Sequence, residues 1–132
     1  MSEQRASVPS VLLVEDNETI RDAFRILLED SGYVVHEAAS GQEAVDKATH
    51  HPPAVMLLDL GLPDINGLDV ARRIRAEPST AHVPIVALTG RALETDEKAC
   101  LEAGCTAYLS KPIDSAALLR KIGEVVGGMA GS

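Results

Sequence analysis

Five short apolar runs, each closed by a polar residue and separated from the next by a stretch of helical periodicity, constrain this chain more than any other feature. They span residues 11–14, 33–37, 54–58, 84–88 and 106–109. Continuous apolar runs of this length have the look of strands buried on both faces, and the second alternates enough to suggest an edge. Between them, Ile20, Ala23, Phe24, Leu27 and Leu28 recur at helical spacing until Ser31-Gly32. Ser40 with Glu43 forms a capping box that opens a second helix to about His50, where Pro52-Pro53 stop it. A third helix follows Asn66, turns Leu68, Val70, Ala71 and Ile74 inward, and stops before Pro78. The fourth, over 93–103, is acidic and thinly apolar, so it should be the least firmly packed; Gly104 ends it. Asp114 caps a fifth with the stripe Leu118, Ile122, Val125 and Val126, ended by Gly127-Gly128.

Five strands alternating with five helices predict an α/β fold, a doubly wound five-stranded parallel sheet. Length gives one domain, residues 10–127, with 1–9 and 128–132 as flexible termini. Aromatic residues make up only 2% of the chain, so Val, Leu, Ile and Ala must build its core. In such sheets ligands bind at the carboxyl ends of the strands, where strand order reverses. Glu15 and Asp16, Asp59, Thr89 and Lys111 all stand at such ends.

Singly, each has a bland role. Acids at 15 and 16 favour the following helix N-terminus, Asp59 suits an Asx turn, Thr89 ends a strand and Lys111 solvates a surface. Their joint placement argues otherwise. Three carboxylates without His or Cys make a hard oxygen site suited to Mg²⁺. Lys111 neutralises an anion there and Thr89 offers a hydroxyl. Together they describe a site for a phosphoryl group on or near Asp59.

Other classes are excluded or weakened. A net charge of -8, with no basic stripe, speaks against direct nucleic-acid binding. No run approaches the ~20 apolar residues that span a bilayer, and the N-terminus lacks a signal-peptide core, so no membrane role is expected and the cytoplasm is the default. Cys100 and Cys105, five apart, fit neither a CxxC nor a zinc pattern and read as reduced thiols, at least one buried. His36, His50, His51 and His82 are scattered. Neither GxGxxG after the first strand nor GxxxxGK[ST] is present, which argues against a nucleotide site. GxSxG is absent too.

These residues together resemble the receiver domain of two-component response regulators. The likeness runs from about Ser10 to Val126 and includes Val14-Glu15-Asp16-Asn17, Leu57 to Gly67 around Asp59, Ala87-Leu88-Thr89-Gly90, Ala103-Gly104 and Tyr108-Leu109-Ser110-Lys111-Pro112. It implies a flavodoxin-like sheet of order 2-1-3-4-5. It also implies that Asp59 accepts a phosphoryl group from a phosphohistidine on a sensor histidine kinase or histidine phosphotransfer protein. Mg²⁺ would be held by the Asp16 and Asp59 side chains and the Gly61 carbonyl, with Glu15 acting mainly through a metal-bound water. Many receivers carry Asp at that position, so Glu15 is a mild departure.

By the same resemblance Lys111 contacts the phosphoryl oxygens, the Lys111-Pro112 bond is cis, and Thr89 and Tyr108 form a switch pair. The switch would reshape the surface of the fourth helix, fifth strand and fifth helix for a partner. Gly61 and Arg91 flank the route of the hydrolytic water. The rival reading is a phosphohydrolase with an aspartyl phosphate, which usually wants a second acid where Gly61 stands. A binding-only pseudo-receiver is a third, disfavoured by the full acceptor set. No effector domain follows Gly128 in this sequence, so the chain reads either as a stand-alone receiver or phosphorelay component, or as a piece of a longer chain such as a hybrid kinase.

Overall fold

The computed structural model describes residues 9–90 and 94–131. Its elements alternate as β1 (Ser10–Val14), α1 (Glu18–Asp30), β2 (Val34–Ala38), α2 (Gly41–His50), β3 (Val55–Asp59), α3 (Gly67–Ala76), β4 (Ile85–Thr89), α4 (Glu94–Glu102), β5 (Ala107–Ser110) and α5 (Ser115–Gly131). All pairings are parallel and the strand order is β2-β1-β3-β4-β5, the order implied by the resemblance. Chain order reverses beside β1, whose neighbours are β2 and β3.

Strand parity divides the core into two layers. Leu12, Val14, Met56, Leu58, Ile85 and Ala87 face Ala44, Ala48, Val70, Ala71 and Ile74 of α2 and α3, together with Cys100 of α4. Val11, Leu13, Val55, Leu57, Val86 and Leu88 face Phe24, Leu27 and Leu28 of α1 and Leu118 and Ile122 of α5. β3 and β4 are buried at every position, as their unbroken apolar runs require, whereas the edge strand β2 alternates. Ile20 and Ala23, expected on the inner face of α1, are exposed. They lie in its first two turns, near the carboxyl edge of the sheet, where less of the sheet remains to cover.

The caps explain where the helices start and stop. Asn17, not Glu15 or Asp16, caps α1, its side chain accepting from the Ile20 N–H. Ser40 Oγ accepts the Glu43 N–H at 3.2 Å, and the Glu43 carboxylate reaches back to the Ala39 N–H at 2.8 Å, one residue earlier than a capping box requires. The Asp64 carboxylate accepts the Gly41 and Gln42 N–H groups at 2.9 and 3.1 Å, and those bonds hold its pKa below the usual range. α1 and α4 end alike, with Gly32 and Gly104 left-handed at φ 97° and 106°. α5 corrects an expectation: it runs through Gly127-Gly128 to Gly131. Neither glycine takes a positive φ, and without that turn a glycine weakens a helix but does not end it. Residues 1–8 and 132 of the expected flexible termini, and Arg91, lie outside the described residues. Among the described residues no helix is long and apolar enough to cross a membrane.

Gly67 fixes the loop after Asp59, because a Cβ there would stand 2.6 Å from the Leu60 Cα. Gly67→Ala should lower stability by about 1–3 kcal/mol, since backbone must shift to admit it. Gly123, inside α5 with open space around it, offers the opposite sign. Gly123→Ala should raise stability by about 0.5–1 kcal/mol, and urea midpoints of both variants check the pair.

Candidate functional site

The sheet register assembles the site before any side chain is considered. β1 pairs with β3 so that Val14 lies beside Leu58, and the next residues, Glu15 and Asp59, are brought together. Leu88 lies beside Asp59 and Thr89 beside Ser110, so Thr89 and Lys111 follow on the next two strands. The Lys111 N–H donates to the Thr89 carbonyl at 2.7 Å and extends that ladder past β5. The Lys111-Pro112 bond is cis.

Glu15, Asp16 and Asp59 each offer a carboxylate oxygen within 4.8 Å of the others. Glu15 and Asp59 are buried, at 2% and 4% exposure, and Asp16 is exposed. One ammonium faces them. Lys111 Nζ lies 3.3 Å from Asp59 Oδ1 and 3.9 Å from Glu15 Oε1. The Gly61 N–H donates to Asp59 Oδ1 at 3.0 Å and orients the carboxylate. Glu15 Oε2 accepts the Asn17 N–H at 3.0 Å, whereas its buried Oε1 has no hydrogen-bond partner.

Burial pushes the Glu15 carboxyl up to about 7, the Asn17 N–H opposes this, and the neighbouring Asp59 charge adds to it. An orphaned oxygen among three carboxylates and one ammonium is the donor set of a hard cation that brings positive charge and accepts oxygen ligands. The residues therefore fit a metal ion. Thr89 is buried at the end of β4, and Tyr108, half-buried, packs into the same core layer as Ala87, its partner in register. The five residues predicted at strand ends are thus brought to one edge, with Tyr108 beside them.

Sequence reasoning missed two supports. Arg21 donates from Nε to Glu37 at 2.9 Å and from an Nη to the Glu15 carbonyl at 2.9 Å, so it ties the acidic loop to β2. Asp64 ties the loop after Asp59 to α2. Neither has a local signal, because Glu37 lies 16 residues from Arg21 and Gly41 lies 23 from Asp64. A cavity of about 310 Å³ between β2 and α2, lined by Leu12, His36, Lys47, His50, His51 and Pro53, shares no residue with the acidic site.

Comparison with known proteins gives one consistent family. The model of the response regulator receiver domain matches residues 11–123. The polar-differentiation response regulator DivK of Brucella ovis is 39% identical over 118 residues, covering 89% of this chain and 96% of that protein. Among solved structures, the receiver domain of a sensor histidine kinase from Pseudomonas aeruginosa PAO1, with a magnesium ion coordinated in its active site cleft, superposes with a TM-score of 0.84. It is 37% identical, and the match covers 92% of this chain and 99% of that one. A CheY-like receiver domain protein from Methanospirillum hungatei JF-1 gives 0.88 at 29% identity, covering 95% and 98%.

The geometry of Glu15 predicts a pH dependence of stability in metal-free protein. Its folded value, about 7, lies above the ordinary 4.5, so the native state holds this proton more tightly than the unfolded chain does. The associated stability is fully present below pH about 4.5 and is lost as pH rises through about 7. Urea midpoints measured in chelator should fall across that window, and Glu15→Gln, neutral throughout, should remove that part of the slope.

Proposed function

This chain belongs to the response regulator receiver domain family and is a phosphoacceptor of two-component signalling, and on that premise we infer that Asp59 is the acceptor. The observation that carries the assignment is a buried carboxylate at the end of β3, with Lys111 Nζ at 3.3 Å and, beside it, a Glu15 oxygen that has no hydrogen-bond partner. An Asp59 oxygen attacks the phosphorus of a phosphohistidine. The O–P bond forms as the N–P bond breaks, and the departing imidazole keeps the electron pair. Histidine kinases or phosphotransfer proteins supply that group to receiver domains.

Glu15, Asp16 and Asp59 would hold Mg²⁺ with the Gly61 carbonyl, and the ion would offset negative charge on the transferring oxygens. Lys111 leaves its pairing with the bare carboxylate and follows the new negative charge onto a phosphoryl oxygen. Thr89 directs its hydroxyl to another. Tyr108, on the same sheet face, turns into the space beside it, and the α4–β5–α5 surface shifts toward the form a partner binds. The sparse anchoring of α4 supports this: of its described side chains, residues 97–102, only Cys100 is buried. Gly61 gives no second acid for turnover, which favours a phosphoacceptor over a phosphohydrolase.

Asp59→Asn should abolish Mg²⁺-dependent labelling by a small acyl-phosphate donor, which in the parent chain reaches one phosphoryl group per molecule by mass. Labelling of the variant to the same extent would sink the assignment. Lys111→Ala should still bind Mg²⁺ yet lose the amide chemical-shift changes at α4 and β5 that a phosphoryl mimic induces in the parent.

A further inference from the structure

The end of α4 brings the chain's two cysteines together. The Cys105 N–H donates to the Cys100 carbonyl at 3.0 Å and the Gly104 N–H to Leu101 at 3.1 Å, with Gly104 left-handed between them. This is the Schellman arrangement, in which the residue after the glycine packs on the residue five before it. At the end of α1 the same pair of bonds sets Tyr33 on Leu28, an ordinary apolar contact. At the end of α4 that contact consists of two thiols. Both are reduced and buried, at 0% and 5% exposure, in one core layer, and lie close enough that Cys100 helps to raise the Cys105 pKa.

We propose that Cys100 and Cys105 are a redox modification site, which peroxide converts to a reversible intramolecular disulfide that fastens the last turn of α4 to the entry of β5. The 3.0 Å backbone bond between the two residues draws their Cα atoms toward the roughly 4.4–6.8 Å that a disulfide spans. In the first step one thiolate attacks a peroxide oxygen. The S–O bond forms, the O–O bond breaks, and the departing hydroxide takes a proton to become water. The second thiol then attacks the sulfenic sulfur, the S–S bond forms, and a second water leaves. Two thiols lose two electrons and one peroxide gains them.

Burial governs when this happens. It pushes the Cys105 thiol up to about 12, Cys100 adds to that shift, and Arg75 opposes it. Closed burial disfavours the Cys105 thiolate and shields both sulfurs from peroxide, so attack awaits local opening of the helix end. The thin anchoring of α4 makes that opening accessible, because Cys100 is its one buried side chain among residues 97–102. Once formed, the crosslink removes that opening. The inference does not depend on Asp59 or its phosphoryl chemistry.

The test uses the whole reduced chain and hydrogen peroxide. After acid quench and denaturation, alkylatable thiols should fall together from two to none, the mass should drop by two hydrogens, and a peptide linking 100 to 105 should appear. Dithiothreitol should reverse all three. Amide hydrogen exchange over 101–105 should slow at least tenfold in the oxidised form. Cys105→Ser should accumulate a dimedone-reactive sulfenic acid without the mass loss. Unchanged thiols, crosslinked dimers, oxidation of one cysteine to sulfinic acid, or unchanged exchange in the oxidised form would each overturn the proposal.

Discussion

The site depends on one constraint, the parallel ladder between β1 and β3. It forces Glu15 and Asp59, two like-charged groups, into adjacent buried positions. Left to themselves the carboxylates would separate into water. The backbone register holds them because shifting it by one residue would turn one of the two strands over, sending Val11 and Leu13, or Val55 and Leu57, into the wrong layer. The core's packing energy is thus what keeps an electrostatically unfavourable pair together. The proton on Glu15 and the Lys111 ammonium relieve the repulsion in part. A cation bound there gains from a preorganised negative field that folding has already assembled.

The same parity sorts the site by layer. Thr89 and Tyr108 lie on the face covered by α3 and α4, so a pull on one is felt within the layer whose outermost helix is least anchored. The opposite layer packs Leu57 and Leu88 against Leu28 of α1 and Leu118 and Ile122 of α5.

The site was legible from the sequence because its residues follow apolar runs whose periodicity is unmistakable: Asp59 after residues 54–58, Thr89 after 84–88, Lys111 just past 106–109. The order of the strands was not legible from those runs. It came from resemblance, since a run carries no record of which neighbour it pairs with. Local chemistry also misled at α5, where Gly127-Gly128 reads as a stop yet the helix continues. A glycine permits a left-handed turn, and only tertiary packing decides whether the chain takes it. Arg21 and Asp64 escaped because their work is done across the fold.

The Asp64 carboxylate and Gly67 together pin both ends of the loop that borders Asp59, one to the first turn of α2 and the other against Leu60. A loop of glycine, proline and asparagine would otherwise sample many shapes, and each encounter with a donor histidine would have to select one of them. With the loop fixed in advance, the ordering entropy is spent once, during folding. A loop held in this way would spare each transfer that search. Loosening either anchor would return that search to every transfer, slowing all donors alike and leaving the preference among them where it was.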